Sequence, residues 1–454
     1  MKCLEENRIR CYLLVLFQLF LLILSGIIFY FDVDTIFLRN MLILIFVECG
    51  IISFYGGKFN FFQVFLATSM FFIISRPFLE FFWEMPAGLM TYASIQVKIP
   101  KQYLIIAYQV YIVALLSTSI GWLIGGSLFK NEKKINPKHS IVAQSVNFLF
   151  VIIALLYLFK LIIMINYFRT LGYGWRTTDG LTYPWFLRGT GILFTVFSIC
   201  ALFFSQNKKD YLKRACLCII VYLFLLLTGV RGEPLYTVIV ILTVWTYFYQ
   251  KLSIKTLFFL GGFLLAGVYG IGLLRTGTKS LGIDTFLWQQ GVSFCVLPLS
   301  IMYKSQIQAG YPLAFGYILD FFKSSPVPGV IEGEHRLTQL LMYQLSPEYY
   351  AMGNNIGTSQ SAELYDLAKG NLFIIGIMYF FLMLLAMYLL KHLYDNLLTF
   401  YWGFIYLCLF VYSPRYSVFY IVRNVYVYGF AIVLVLWAIY KQMKTYLKIK
   451  KITL

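Results

Sequence analysis

The arginines of this chain are the residues whose type and positions best suit chemistry on a phosphate group. Ten of the thirteen arginines fall on one side of a membrane once the apolar segments are threaded alternately through it. The guanidinium group presents a fixed fork of donors that matches phosphate oxygens. If these side chains only extended their charge to the membrane surface, lysine would serve equally well. The bias therefore predicts an anionic, phosphate-bearing substrate on the outward side. The ten are Arg39, Arg76, Arg169, Arg176, Arg188, Arg231, Arg275, Arg336, Arg415 and Arg423.

A glycine-bounded turn, TGVRGEP (residues 228–234), places one of these arginines between two apolar segments with almost no loop. Gly229 and Gly232 allow close backbone approach, so Arg231 and Glu233 are expected near the membrane surface. The turn is also compatible with a tight helical hairpin in which Arg231 and Glu233 only pair with each other.

A polar stretch, GNNIGTSQSAELYDLAKGN (residues 353–371), carries the carboxylate best placed for acid–base chemistry. Glycines, amides and hydroxyls lead into a short predicted helix that Ser359 or Ser361 would cap. Glu363 stands near the start of this helix, and its carboxylate is predicted to act as a general base or to bind a sugar hydroxyl. The alternative is a solvated helix start in which Glu363 only complements the helix dipole.

Membrane helices must position these residues, because the composition excludes an ordinary soluble protein. Of 454 residues, 60% are hydrophobic and 12% are charged, and the mean hydropathy is +0.78. Apolar runs recur at about the length needed to cross a hydrocarbon core ~30 Å thick. The runs are continuously apolar and do not alternate, so they predict an all-α integral membrane protein of about twelve spans. The spans are 11–31, 36–56, 61–76, 104–125, 141–160, 189–205, 215–230, 235–250, 256–274, 372–390, 397–412 and 424–440.

The density of lysine and arginine sets the predicted orientation. With the N-terminus inside, the short cytoplasmic segments carry 20 Lys/Arg, whereas the outward segments spread 16 over far more residues. The positive-inside rule therefore predicts that both termini are cytoplasmic. The net charge of +18 follows from this topology, so nucleic acid is not expected as a partner.

One outward segment, residues 275–371, dominates the predicted loops. Apolar residues recur at three- and four-residue spacing from Trp288 to Met302, in LAFGYILDFF (313–322) and in LTQLLMYQL (337–345). This spacing indicates amphipathic helices that lie on the membrane or pack over the helix bundle. We therefore expect a single polytopic membrane domain, residues 1–454, with residues 275–371 as an external cap.

Three motifs resemble those of the O-antigen polysaccharide polymerases, the Wzy family. They are TGVRGEPLY (228–236), WQQGVS (288–293) and G-x-S-x-x-x-E-x-Y, and the similarity covers roughly the second half of the chain. The resemblance implies a GT-C-type fold, a polyprenyl-pyrophosphate-linked oligosaccharide as substrate, and no metal or other cofactor. The third motif consists of Gly357, Ser359, Glu363 and Tyr365, of which Gly357, Ser359 and Tyr365 are expected to bind substrate.

The resemblance also implies roles for the charged residues. Arginines would hold the pyrophosphate of the donor as it leaves. Glu363 is the first candidate for the base that takes the proton from the acceptor hydroxyl, followed by Glu334 and His335. The enzyme is expected in the bacterial cytoplasmic membrane with its site facing outward, and a flippase and a chain-length regulator are candidate partners. The arginines assigned to substrate binding are Arg169, Arg231, Arg275, Arg336, Arg415 and Arg423.

Two other functions remain open from the sequence. These motifs separate a polymerase only weakly from a ligase that transfers glycan from polyprenyl pyrophosphate to a lipid or protein. A lipid-linked-oligosaccharide flippase or transporter would need charged residues along a central path and paired broken helices. Apart from Arg39 and Arg76, which are counted as outward, the charged residues inside the predicted spans are Glu48 and Lys160, too few for such a path, which favours the enzyme. Glu48 is either part of a functional site or is accommodated by protonation or a hydrogen bond to a neighbouring span.

Overall fold

The computed structural model is mainly helical and divides into two compact units. The first unit comprises Met1–Lys130, Thr276–Tyr388 and Leu409–Tyr420, and the second comprises Asn131–Arg275, Leu389–Cys408 and Ile421–Leu454. The structure describes residues 2–54, 60–92, 95–129, 141–171, 184–205, 207–228, 232–250, 262, 266–267, 269–270, 282–307, 311–319, 336–351, 356–422 and 424–452.

Three apolar helices of the first unit pack together. Helix α1 (Lys2–Phe29) and helix α2 (Thr35–Ser53) both pack against the largely buried α5 (Lys101–Leu128). Glu48 of α2, the carboxyl expected inside a span, accepts a hydrogen bond from the Gln18 side chain of α1. A hydrogen bond to a neighbouring span therefore accommodates this polar group, which was one of the two interpretations of Glu48.

A further apolar helix of the first unit changes its winding halfway along. Helix α3 (Phe61–Ser69) begins at Asn60, which exchanges side-chain-to-backbone hydrogen bonds with Gln63 in a capping box. The helix continues through a π-helical segment (Met70–Ile74) into α4 (Ser75–Trp83). Such π-helical insertions are frequent at functional sites. An antiparallel hairpin follows, with β1 (Leu89–Tyr92) paired to β2 (Ile95–Lys98).

Two consecutive helices within the predicted cap are more deeply buried than we expected. Helix α10 (Ile283–Gln290) and helix α11 (Ser293–Met302) meet at a bend of 44°. The residues of α11 from Ser293 to Ser300 are all buried, so this helix is not amphipathic. Its apolar side chains contact α5 and other helices of the unit and leave no polar face exposed.

The rest of the cap and the helix after it complete the first unit. In α14 the buried residues are Leu337, Thr338, Leu340, Leu341 and Met342, and the other residues of LTQLLMYQL are half-buried. LAFGYILDFF forms a 3-10 turn and a short helix before it leaves the described residues. The helices are α12 (Lys304–Ile307), α13 (Gly316–Leu319), α14 (Leu337–Leu345), α15 (Pro347–Ala351), α16 (Gln360–Leu367) and α17 (Leu372–His392).

Glycines allow α5 and α17 to pack closely. A Cβ at Gly121 would lie 2.7 Å from the Phe380 carbonyl oxygen, and a Cβ at Gly125 would lie 2.8 Å from the Met387 Cβ. The four-residue spacing of these glycines is the small-residue pattern that brings membrane helices together. Helix α17 is thereby fixed against α5 just after the polar stretch that carries Glu363.

The second unit is also a bundle of apolar helices. Helix α6 packs against α7 and α8, and α7 packs against α19. Near the start of α8, Arg214 forms a 2.8 Å ion pair with Asp210 and donates to the carbonyl oxygen of Ala201. The helices are α6 (Ile141–Leu171), α7 (Thr190–Phe203), α8 (Lys208–Leu227), α9 (Gly232–Phe248), α18 (Leu397–Val411) and α19 (Asn424–Ile452).

The helices agree with the predicted class, an all-α integral membrane protein. Among the described residues, eight helices are long and apolar enough to cross a membrane, and the bent pair α10–α11 would make nine. Helices α9 and α18 are apolar but shorter. The predicted span 256–274 lies mostly outside the described residues. The total of twelve spans and the cytoplasmic termini therefore stay predictions.

Candidate functional site

Two segments of the first unit, distant in sequence, meet at Glu363. One is the glycine-containing stretch 356–363 at the start of α16, and the other is the turn 412–418 that follows α18. The Gln360 amide donates to the Ser413 carbonyl oxygen at 3.2 Å, which joins the two backbones directly.

The Glu363 carboxyl lies inside this junction and is only 1% exposed. One of its oxygens accepts a hydrogen bond from the Thr358 hydroxyl at 3.2 Å. The other accepts from the Ser417 hydroxyl at 2.7 Å and from the Val418 amide at 2.8 Å. The Thr358 and Ser417 hydroxyls are therefore in position to relay a proton between the Glu363 carboxyl and a bound molecule.

Burial raises the pKa of the Glu363 carboxyl to about 8, although the hydrogen bonds from Ser417, Val418 and Thr358 act to lower it. Removing a carboxylate from water disfavours its charged form, and here this effect exceeds the stabilisation by the three donors. The group therefore exchanges its proton close to neutral pH, which is the range that suits a general base.

Arg415 packs directly against Gly357. The backbone of Gly357 has φ of +82°, a left-handed conformation, and a Cβ built there would lie 3.3 Å from the Arg415 Nε. The guanidinium carbon of Arg415 lies 5.4 Å from the centre of the Phe72 ring. Arg415 is partly exposed, so a cation lies at the edge of the site two residues from Ser417.

A series of aromatic rings leads from Phe72 to a second arginine. Phe72 contacts Tyr412, and the series continues through Tyr416 and Tyr420 to Tyr317, with ring centres 4.3–5.1 Å apart at each step. The guanidinium carbon of Arg336 lies 5.6 Å from the centre of the Tyr317 ring. We refer to Phe72, Tyr412, Tyr416, Tyr420 and Tyr317 as the aromatic series; it links Arg415 to Arg336.

The serines of the polar stretch line the inner side of the site. Ser359 is fully buried, and the Ser361 hydroxyl lies 2.7 Å from the Tyr379 hydroxyl of α17. Beside Ser361 and Ser413 is a cavity of about 20 Å³, which is room for about one water molecule. The site is therefore closed towards α17 in this conformation.

Tyr365 and its neighbour Asp366 anchor the end of α16. The Tyr365 hydroxyl packs 3.0 Å from the position of a Cβ on Gly370. Asp366 accepts a hydrogen bond from the Leu313 amide at 2.9 Å and pairs with the Lys304 ammonium at 3.3 Å. These contacts fix the helix that carries Glu363.

The structure unites only some of the residues predicted from sequence. Glu363, Gly357, Ser359 and Arg415 lie together, and the aromatic series connects Arg336 to them. Arg169 lies exposed in the last turn of α6, in the second unit. The predicted residues that lie outside the described part of the chain are Arg231, Arg275, Glu334, His335 and Arg423.

Arg76, counted among the outward arginines, has a different role. It is fully buried, and it donates to the carbonyl oxygens of Trp288 at 3.2 Å and Leu89 at 2.6 Å while it lies 4.2 Å from the Trp288 ring centre. A Cβ at Gly291 would lie 2.7 Å from the Arg76 Cγ, so the WQQGVS motif packs around this arginine. Its guanidinium holds α4, the β-hairpin and α10 together inside the fold.

Sequence reasoning did not identify Ser417, Val418 or the aromatic series. The signal that was available is the turn YSPRYSVFY (residues 412–420), in which an arginine and a serine stand two residues apart among aromatic residues. Its proximity to Glu363 depends on the packing of the intervening helices.

The comparisons with known proteins agree with the motif resemblance. The family model of the O-antigen polysaccharide polymerase Wzy matches residues 13–448, nearly the whole chain. No curated protein and no solved structure was found to match it.

Proposed function

Because this chain belongs to the O-antigen polysaccharide polymerase Wzy family, we propose that it joins polyprenyl-pyrophosphate-linked oligosaccharide repeat units into longer chains. The reaction is proposed to occur on the outer face of the bacterial cytoplasmic membrane, as the density of positive charge in the loops predicts. The observation that carries the proposal is the pairing of a buried, proton-exchanging carboxyl with a partly exposed arginine at a single junction.

Arg415 is proposed to bind the donor pyrophosphate. Its position against Gly357 and Phe72 restricts the side chain, so the guanidinium fork is held ready for phosphate oxygens. As the bond between sugar and phosphate breaks, negative charge grows on the leaving pyrophosphate, and a fixed cation stabilises that charge. Arg336, at the other end of the aromatic series, is proposed to bind the same anionic group or that of the second substrate. The predicted roles of Arg169, Arg231, Arg275 and Arg423 stay part of this proposal.

Glu363 is proposed to take the proton of the acceptor hydroxyl through Ser417. The acceptor oxygen forms a bond to the anomeric carbon of the donor, and the bond from that carbon to the pyrophosphate oxygen breaks. The acceptor proton passes to the Ser417 oxygen while the Ser417 proton passes to the Glu363 carboxylate along the 2.7 Å hydrogen bond. The products are one longer chain on one carrier and one free polyprenyl pyrophosphate. Glu334 and His335 stay the alternative bases.

Activity is expected to increase with pH through about pH 8, because only the deprotonated Glu363 can accept a proton. Below its pKa of about 8 the carboxyl is mostly protonated, so the base form and the elongation rate fall about tenfold for each pH unit. The elongation rate of the purified protein, measured from pH 6 to 9 at saturating substrate, tests this. A rate that is constant from pH 6 to 9 would contradict the assignment of Glu363.

Replacing Gly357 by alanine is expected to shorten the polysaccharide. The left-handed backbone costs a non-glycine residue about 1–2 kcal/mol, and the added Cβ crowds the Arg415 Nε. Modal chain length on a gel of surface glycan is the measurement. Gly50→Ala is the matched control, because a Cβ at Gly50 in α2 meets no atom within 4 Å. If both variants shortened the surface glycan equally, the left-handed backbone at Gly357 would have no special role in the site.

Deletion of the gene in the native host tests the proposed function itself. A polymerase requires that surface glycan falls to single repeat units that are still attached to their acceptor. If long carrier-linked chains accumulate and surface glycan disappears, the protein is a ligase. If carrier-linked units remain on the cytoplasmic face, it is a flippase.

A further inference from the structure

An apolar groove of about 700 Å³ runs along the first unit between α1, α5 and α17. Its walls are aliphatic and aromatic side chains, with Ser117 the only polar residue among those that line it in the described part of the chain. The lining extends from Leu372 to Phe380 on α17 and from Val113 to Ile124 on α5, about 12 Å and about 17 Å at 1.5 Å per residue. That depth is about half of a hydrocarbon core ~30 Å thick, so the groove suits a chain held within one leaflet.

Glycine makes the groove deeper on the α1 side. A Cβ at Gly26 would meet no atom within 4 Å, so open space lies directly against the backbone of α1. Across the groove, a Cβ at Gly376 would lie 3.0 Å from the Ser117 hydroxyl, so α5 and α17 form a close-packed floor.

A lysine is held at the end of the groove where α17 begins. Lys369 is exposed, lies three residues before the first lining residue of α17, and has φ of +51°. Its amide donates to the Asp366 carbonyl oxygen, and the Gly370 amide donates to that of Tyr365. These two bonds form a Schellman turn in which Lys369 occupies the left-handed position that favours glycine. A lysine in this position costs conformational free energy relative to glycine. The turn itself does not require a positive charge.

The groove adjoins the candidate site through shared helices. Ser361 of α16 bonds to Tyr379 of α17, less than one turn from Gly376 in the groove. On α5, Val113 and Ser117 face the groove while Tyr111 and Leu115 face the small cavity beside Ser361. A lipid in the groove would thus have its headgroup on the same side of the first unit as the turn that ends α16.

We propose that this groove binds the isoprenoid chain of a polyprenyl-pyrophosphate-linked substrate, with Lys369 contacting its phosphates. The inference rests on the proposed function, which supplies the lipid-linked substrate. An ordinary phospholipid is the competing occupant. Lys369 would attract the phosphate of either molecule, and the position of the groove beside α16, which carries Glu363, favours the substrate.

Photo-crosslinking tests the groove without relying on turnover. The full-length protein is placed in nanodiscs of phosphatidylethanolamine with a benzophenone-bearing polyprenyl phosphate as the probe. Gly26→Leu, whose Cβ would meet no atom within 4 Å, is expected to lower cross-linking about tenfold by displacing several methylene groups. Gly50→Leu makes the same change on α2, where a Cβ also meets no atom, and should leave cross-linking unchanged.

Lys369→Gly tests the cation in a turn position that glycine prefers, so the fold is not weakened. Its probe affinity is expected to fall about fivefold, and Lys369→Arg should retain it. The proposal is overturned if Gly26→Leu and Gly50→Leu behave alike, or if excess phosphatidylglycerol displaces the probe as well as unlabelled polyprenyl phosphate does. Groove-dependent binding by a protein that does not elongate glycan would instead refute the proposed function and leave the groove assignment standing.

Discussion

Arg415→Ala is expected to lower the rate of chain elongation about 100- to 1,000-fold, the usual cost of removing one donor that stabilises a developing anion. Arg415 is the partly exposed cation at the junction that contains Glu363, and its side chain is confined by Gly357 and Phe72. Arg415→Lys keeps the charge but loses the fork of donors, so a smaller but clear loss is expected. The readout is the initial rate of elongation of lipid-linked repeat units by purified protein.

Arg188→Ala is the matched control for Arg415. Arg188 is an exposed arginine in the turn before α7 and belongs to no part of the proposed site. Removing it should leave the rate within twofold of wild type, because surface substitutions away from special features have small effects. If Arg415→Ala and Arg188→Ala gave the same rate, Arg415 would not bind the pyrophosphate.

Glu363→Gln is expected to lower elongation about 100- to 10,000-fold, the contribution of a positioned general base. Glutamine has the shape of the protonated glutamic acid, and it can accept from Ser417 and Val418 while its amide donates to the Thr358 oxygen. The folded state should therefore survive while the ability to accept a proton is lost. The rise in rate towards pH 8 should disappear in this variant.

Two further variants separate proton transfer from structural support at Glu363. Glu363→Ala leaves the Val418 amide and two hydroxyls without their acceptor, at about 1–3 kcal/mol for each buried group, so thermal stability should fall. Ser417→Ala should lower the rate with little loss of stability, because it removes the proposed relay but leaves the Val418 bond. If Glu363→Gln elongates glycan at the wild-type rate, Glu363 serves only to hold the two segments together.

The sequence was sufficient to predict the centre of the candidate site but not its partners. A glycine-punctuated polar stretch followed by a carboxylate indicated Gly357 and Glu363, because local chemistry of that kind is visible in adjacent residues. Arg415 is separated from Glu363 by two apolar helices, and its position depends on how they pack. The sequence analysis therefore assigned six of the ten outward arginines to substrate binding without identifying Arg415 as the one beside Glu363. It also counted Arg76 among the ten, although Nε and Nη1 of Arg76 donate to backbone carbonyls inside the fold.

The sequence predicted some helices of the fold correctly but not the burial of α11 or the packing that forms the groove. Long apolar runs such as α1, α5 and α6 were recognisable from length and composition alone. Helix α11 was predicted to be an amphipathic helix that lies on the membrane or packs over the helix bundle. The run SFCVLPLSIM is instead apolar on all sides, which is the pattern of a buried helix. The groove between α1, α5 and α17 could not be predicted, since it arises from the packing of three helices that are far apart in the sequence.

Reconstitution of elongation with purified protein is the most direct measurement of the central claim. Repeat units carried on polyprenyl pyrophosphate, isolated from the host strain that lacks the gene, are incubated with the full-length protein in nanodiscs and resolved by gel. We expect a ladder of chains that differ by one repeat, with one polyprenyl pyrophosphate released for each unit added. Chains that stay at one repeat unit, or carrier released by hydrolysis alone, would contradict the central claim.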